Sequence, residues 1–214
     1  MTTIISIKGQ NTRMGKLFKT PKHYLLHNGS MAIRQTVTRM QEFGPVWIVA
    51  NENDDEIDFY SKYWFVDRDT FRIIKQGPDN GIVDMLLQMD LPNQFFVVDC
   101  DVIPITLTQP KGNTVYLFKN KNELTHYSNY KLFHGKVLEC NEKQEVFDWA
   151  GAGVYYFDRA PVFKYYADGC TTLAQVISKM IGAGESFHGN TDSEIFRFGS
   201  LQTILNNDVH ELGV

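Results

Sequence analysis

Residues 46–50 read Val-Trp-Ile-Val-Ala, a strand-length run without one polar position. A strand with one face in water alternates apolar and polar residues, so this run needs cover on both faces, as in a parallel sheet with helices above and below. Residues 4–7, 71–75 and 94–98 read as further strands of that sheet, and 23–26 as a short one. Between the first and second long runs, residues 31–43 place Ile33, Val37 and Met40 at helical spacing, entered through the turn Asn28-Gly29 with Ser30 as N-cap and stopped by Gly44-Pro45. Strand, helix and strand in this order make a right-handed crossover unit. Later strands are expected at 114–118, 131–139 and 149–157, and later helices after the cap Asn80 (core face Val83, Leu86, Leu87), at 162–166 and at 173–181. The expected class is α/β, a three-layer, Rossmann-like mixed and mostly parallel sheet with helices on both faces. At 214 residues the chain suits one such domain.

Polar segments punctuate this pattern. Residues 51–58 are acidic and alternate like a calcium loop, but lack its central glycine and closing Glu, so they read as a solvated loop. Tyr60, Tyr63, Trp64 and Phe65 read as core packing. Gly9 ends the first apolar run and opens a loop that carries Gln10, Asn11, Thr12, Arg13, Lys16, Lys19 and Lys22. Glycine lets a ligand approach the backbone, and the donors and cations around it suit phosphate. The Walker pattern is excluded because five residues separate Gly9 from Gly15 and Leu17 follows Lys16; the dinucleotide fingerprint is excluded because no glycine stands two residues after Gly9.

A second polar feature ends the strand at 94–98, where Asp99 and Asp101 flank Cys100. Carboxylates at the carboxyl edge of a doubly wound sheet lie where ligands bind, and a hard cation with nucleotide phosphates gives them a role.

With 21 basic and 25 acidic residues the net charge is −4, which argues against nucleic-acid binding through bulk charge. Cys100, Cys140 and Cys170 form no Cys-x-x-Cys pair, so neither a disulfide framework nor a zinc site is indicated. No signal peptide or membrane span is read, and a cytoplasmic location is expected. The six histidines are scattered and read mostly as surface residues.

The segment Gly9-Gln10-Asn11-Thr12-Arg13-Met14, with Pro21-Lys22 beyond it, resembles the signature loop of the sugar-phosphate nucleotidyltransferases, the family of the nucleotide-sugar pyrophosphorylases. Asn11 replaces the second glycine of that signature. The resemblance implies a GT-A-like nucleotidyltransferase fold over residues 1–214, with a nucleotide-binding half at 1–110 and an acceptor-binding half at 111–214. It implies catalytic roles for Arg13 and Lys22, nucleotide contacts from Gly9, Gln10, Asn11, Thr12, Gln76, Gly81 and Asp99, and Mg²⁺ on Asp101. Asn141-Glu142-Lys143 resembles the family's Glu-Lys element, and the strand at 149–157 its Ala-Gly-Ile-Tyr strand, which makes Glu142, Lys143 and Gly153 acceptor contacts. Near the C-terminus, Arg197-Phe198-Gly199-Ser200 departs from the family's Asp-x-Gly-Thr by putting arginine in place of a second magnesium ligand, unless Asp192 or Glu194 supplies it. The implied partners are an NTP and a small phosphorylated acceptor, with no nucleic acid and no membrane; self-association into a homo-oligomer stays open. Two other readings stand beside this one: a glycosyltransferase that uses a nucleotide-sugar donor, and a nucleotide-binding relative without activity.

Overall fold

The computed structural model describes residues 1–8, 21–64, 67, 69–120, 127–142, 147–197 and the backbone of 209–210. Its elements begin with β1 (Thr2–Ser6), β2 (Leu26–His27), β3 (Ser30–Met31), α1 (Ala32–Met40), β4 (Val46–Asn51), α2 (Asp55–Ser61) and β5 (Phe71–Gln76). There follow α3 (Ile82–Leu87), β6 (Phe95–Asp99), β7 (Val102–Thr106), β8 (Thr114–Lys119), β9 (Ser128–Phe133) and β10 (Lys136–Glu142). The remaining elements are β11 (Trp149–Phe157), α4 (Ala160–Ala167), α5 (Leu173–Gly182), β12 (His188–Asn190), β13 (Glu194–Arg197) and β14 (Val209–His210). They form two compact units: residues 1–77, 98–106 and 194–214 make the first, and 78–97 with 107–193 the second.

In the first unit β5, β4 and β1 pair in parallel, with Ile4 beside Trp47 and Val49 beside Ile74. The run that lacked polar residues behaves as its composition demands: Val46, Ile48, Val49 and Ala50 are fully buried. Helix α1 buries Ile33, Val37 and Met40, the three residues that set its spacing. Gly44 ends this segment at φ +134, and a Cβ there would lie 2.2 Å from the Met1 carbonyl oxygen, so only glycine fits.

Three expectations for this unit need correction. Residues 23–26 are not a strand: a 3-10 turn spans Lys22–Tyr24, and the strand is reduced to Leu26–His27. Ser30 lies in β3, and Met31 precedes α1 without a side-chain cap. The acidic stretch is no solvated loop but the start of α2, where the Asp54 carboxylate accepts from the Ile57 amide at 3.4 Å and Asp55, Glu56 and Asp58 complement the positive end of the helix. Of the aromatic group beyond it, Trp64 is buried, Tyr63 is 67% exposed, and Phe65 lies outside the described residues.

The second unit is mainly antiparallel. Its strands follow the order β11-β8-β12-β10-β9, with only β8–β12 parallel among them, and β9 returns to β11 through Trp149 beside Tyr130, which closes a ring. The single strand expected at 131–139 is the hairpin β9–β10, turned by His134 at φ +48 and Gly135 at φ +75. Gly81, not Asn80, precedes α3. Phe95, Phe157 and Phe163 meet in one aromatic cluster at centroid separations of 4.7–5.4 Å. The Thr172–Gln175 capping box starts α5, which buries Val176, Ile177 and Met180.

The fold is therefore α/β with mixed sheets. Among the described residues no helix is long and apolar enough to cross a membrane.

Candidate functional site

Lys22 and Asp101 are far apart in sequence, and apolar packing explains their meeting. Pro21 leads into the turn at Lys22–Tyr24, whose next residue, Leu25, is fully buried against Ala32 and Ile103. Burying a leucine contributes about 1.5–3 kcal/mol, enough to hold the turn against the start of β7. The buried Thr36 hydroxyl donates to the Val102 carbonyl at 2.7 Å and ties α1 to the same place. The Lys22 ammonium consequently donates to Asp101 Oδ2 as an ion pair, with the two side chains 26% and 21% exposed.

Burial alone would lower the Lys22 pKa, but Cys100, Asp101, the hydrogen bond to Asp101, and Asp99 outweigh it and hold the ammonium above its ordinary range. Lys22 is thus a permanent cation at neutral pH. Desolvation pushes the Cys100 thiol up to about 12, against the pull of Lys22, so this cysteine stays protonated and is no nucleophile. Desolvation, with the neighbouring Lys22 charge, lowers His23 to about 4 and keeps its buried imidazole neutral. His23 therefore departs from the expectation that histidines sit on the surface. Asp99 closes β6 and is part-buried beside Cys100.

At the carboxyl end of β5 stands Gln76, and just beyond β1 stands Lys8. The Lys8 ammonium donates to the Gly77 carbonyl and, at 3.5 Å, to Gln76 Oε1. The carboxyl edge of the parallel strands in the first unit thus carries Lys8 and Gln76.

In the second unit Gly81 adopts φ +123 and donates its amide to Asp79 Oδ1 at 2.9 Å, a backbone conformation open to glycine. Gly153 stands at φ +79 within the irregularity of β11 against β8 that falls between Gly151 and Tyr155. Such bulges re-aim a strand, and they recur beside binding sites. Glu142 ends β10, where its Oε2 accepts from the Ser128 hydroxyl at 2.9 Å across the hairpin.

No family profile and no curated protein sequence matches the chain. Solved structures do. A nucleoside-diphosphate-sugar pyrophosphorylase from Vibrio cholerae is similar with a TM-score of 0.79 at 17% identity, over 96% of this chain and 98% of that one. The fold is that of the sugar-phosphate nucleotidyltransferases. A putative glucose-1-phosphate thymidylyltransferase from Bacillus anthracis is similar at a TM-score of 0.77 and 17% identity, covering 96% of this chain and 92% of its own. An inositol-1-phosphate CTP transferase from T. maritima reaches 0.73 at 11% identity, over 94% and 90%.

On this nucleotidyltransferase fold, Gly9, Gln10, Asn11, Thr12, Arg13 and Lys143 lie outside the described residues. The structure joins Lys22 to Asp101 directly and sets Asp99 two residues away. It also places Arg197 at the end of β13, in register with Val102, the residue after Asp101. Glu194 pairs with Thr106 at the opposite end of β7, so it supplies no carboxylate beside Asp101. Asp192 belongs to a turn of the second unit, where its amide donates to Asn190 Oδ1 at 3.2 Å.

Among the described residues no group of three or more His, Cys, Asp or Glu forms a protein-only metal cage. Two carboxylates on one turn nevertheless suit magnesium, which keeps waters and substrate phosphates in its remaining positions. Two residues escaped the sequence reading, Lys8 and Ser128. A lysine directly before the loop glycine was a signal available for the first; the second shows itself only through the β9–β10 register.

Proposed function

We propose that this protein is a nucleotidyltransferase that joins an NTP to a sugar phosphate or a similar small phosphorylated alcohol and releases pyrophosphate. The observation that carries the reading is the Lys22–Asp101 pair beside Asp99, built at the end of β6 on a fold shared with pyrophosphorylases. In this reading residues 1–110 and 111–214 are the nucleotide and acceptor halves of one domain.

An oxygen of the acceptor phosphate attacks the α-phosphorus of the NTP. The bond from that phosphorus to the bridging oxygen breaks, and pyrophosphate departs with the electron pair. A phosphate dianion is already nucleophilic at neutral pH, so no general base is needed. Lys22, held as an ammonium by its acidic neighbours, stabilises the negative charge that grows on the phosphates during the displacement. Arg13 takes a similar part, and the amides of Gly9, Gln10, Asn11 and Thr12 hold the triphosphate. Asp101, with Asp99 at its side, would hold Mg²⁺, which supplies charge neutralisation at the phosphates. Gln76 and Gly81 contact the base, and Glu142, Lys143 and Gly153 the acceptor.

The test screens the four NTPs against sugar, polyol and choline phosphates, with pyrophosphate release as readout. Acceptor-dependent release supports the reading; transfer from a ready-made nucleotide sugar, with no release from any NTP, would establish a glycosyltransferase instead. The register of Arg197 beside the Asp101 turn favours a second reading, a relative that binds nucleotide without turnover. Calorimetric NTP binding with no pyrophosphate from the whole panel would select it.

A further inference from the structure

Phe59 and Tyr63 stand exposed on and just past α2, and Phe133 and Leu138 on the β9–β10 hairpin. Both pairs follow from how their elements are built. Helix α2 buries Ile57 and Ser61, which leaves Asp55, Glu56, Phe59, Lys62 and Tyr63 facing water. The Phe59 ring meets Tyr63 edge-on at 5.4 Å, so the two form one aromatic surface. On the hairpin, Val137 pairs with Leu132 and Glu139 with Lys131, so Leu138 is the extra residue of a bulge. Val137 and Cys140 are buried, and the Cys140 thiol donates to the Ala174 carbonyl of α5 at 3.6 Å. Lys131, Phe133, Lys136, Leu138 and Glu139 are all exposed, with Lys131 and Glu139 paired at 3.0 Å.

We propose that the β9–β10 face of one copy of this chain docks on the α2 face of a second copy. Each face carries two large apolar side chains of the kind that anchor interfaces, and burying them against one another is favourable. Charge decides which faces meet. Lys131 and Lys136 against Glu139 give the hairpin face a net charge of +1, whereas Asp55 and Glu56 against Lys62 give the α2 face −1. Hairpin against hairpin, or α2 against α2, sets like charge on like; only the crossed pairing is complementary. The contact therefore joins two different patches, and every copy carries both halves of it. It does not depend on the nucleotidyltransferase reading.

Sedimentation equilibrium of the full chain, from about 10 µM to about 1 mM, reads the mean mass over the range of weak association. The wild type should rise above the monomer mass as concentration increases. Phe133→Ser/Leu138→Ser removes the hairpin anchors and Phe59→Ser/Tyr63→Ser the α2 anchors, and each variant alone should stay monomeric. Mixed in equal amounts, the two should form a one-to-one dimer, because each keeps the half that the other has lost. Lys136→Glu, a reversal of charge at an exposed side chain, should weaken association of the otherwise wild-type chain several-fold. Raising salt from about 0.05 M to about 0.5 M should weaken it as well. A wild type that stays monomeric throughout overturns the proposal. So does an α2 variant that associates as well as the wild type, which would set hairpin against hairpin, and so does a mixture of the two variants that stays monomeric. Association that neither salt nor Lys136→Glu weakens overturns it too.

Discussion

Lys22 donates its ammonium to Asp101 although 79 residues separate the two in sequence. The pair couples stability to chemistry in a way that variants can separate. Lys22→Met leaves Asp101 with its cation gone and should lower the melting temperature more than the double variant Lys22→Met/Asp101→Asn, in which neither charge remains. Turnover follows a different pattern. Each single variant should lose about 10²–10³-fold in kcat, and the double variant should not recover it. Thermal melts beside pyrophosphate-release kinetics check both halves.

His23 gives the fold an acid-sensitive point. Its imidazole titrates near 4 in the folded chain because burial, aided by the Lys22 charge, disfavours the cation, against 6.5 in the unfolded chain. Between these values the unfolded state binds the extra proton, so stability falls as pH drops from 6.5 toward 4. From pH 7 to pH 5 the wild type should lose about 2 kcal/mol more than His23→Leu, measured by urea unfolding at each pH. Parallel losses in both proteins would assign the acid sensitivity elsewhere.

Gly153 tests the acceptor side. An alanine forced to φ +79 costs about 1–2 kcal/mol, which lowers the melting temperature by roughly 3–6 °C in a chain of this size. The re-aimed strand should raise the KM for the phosphorylated acceptor and leave the KM for NTP unchanged. A rise confined to NTP would remove Gly153 from the proposed acceptor contacts.

In the proposed reading Arg197, in register with Val102 beside the Asp101 turn, takes the place of a second magnesium carboxylate. Arg197→Asp adds an oxygen ligand on the strand beside Val102 and should lower the Mg²⁺ concentration for half-maximal activity several-fold, by about the effect of one further carboxylate. Mn²⁺ binding followed by paramagnetic resonance should tighten in step. Weaker Mn²⁺ binding in that variant would show that Arg197 supports the Asp101 turn.

Where burial alone decides an element, the sequence was enough. The apolar run at β4 and the Ile33, Val37 and Met40 stripe of α1 appear as expected because water is excluded from both faces of the one and one face of the other. Helix α2 was hidden by its own capping: Asp54, Asp55, Glu56 and Asp58 look like a solvated loop until their effect on a helix N-terminus is counted. The β9–β10 hairpin was hidden because His134-Gly135 is not one of the usual turn pairs, although both residues take positive φ. At the candidate site, the motifs single out Lys22 and Asp101 separately, and the structure adds that the two side chains pair. Lys8 shows in the sequence only through its place before Gly9; its contact with Gln76, 68 residues away, appears in the fold alone.

Attack of an acceptor phosphate on the α-phosphorus, with pyrophosphate expelled, leaves a signature that phosphorus NMR of the reaction mixture reads without a coupled assay. With Mg²⁺, an NTP and a phosphorylated acceptor that supports turnover, the wild type should give two mutually coupled doublets from a new P–O–P linkage together with pyrophosphate, and Asp101→Asn neither. Inorganic phosphate as the only new species, or a product spectrum unchanged by Asp101→Asn, would contradict it.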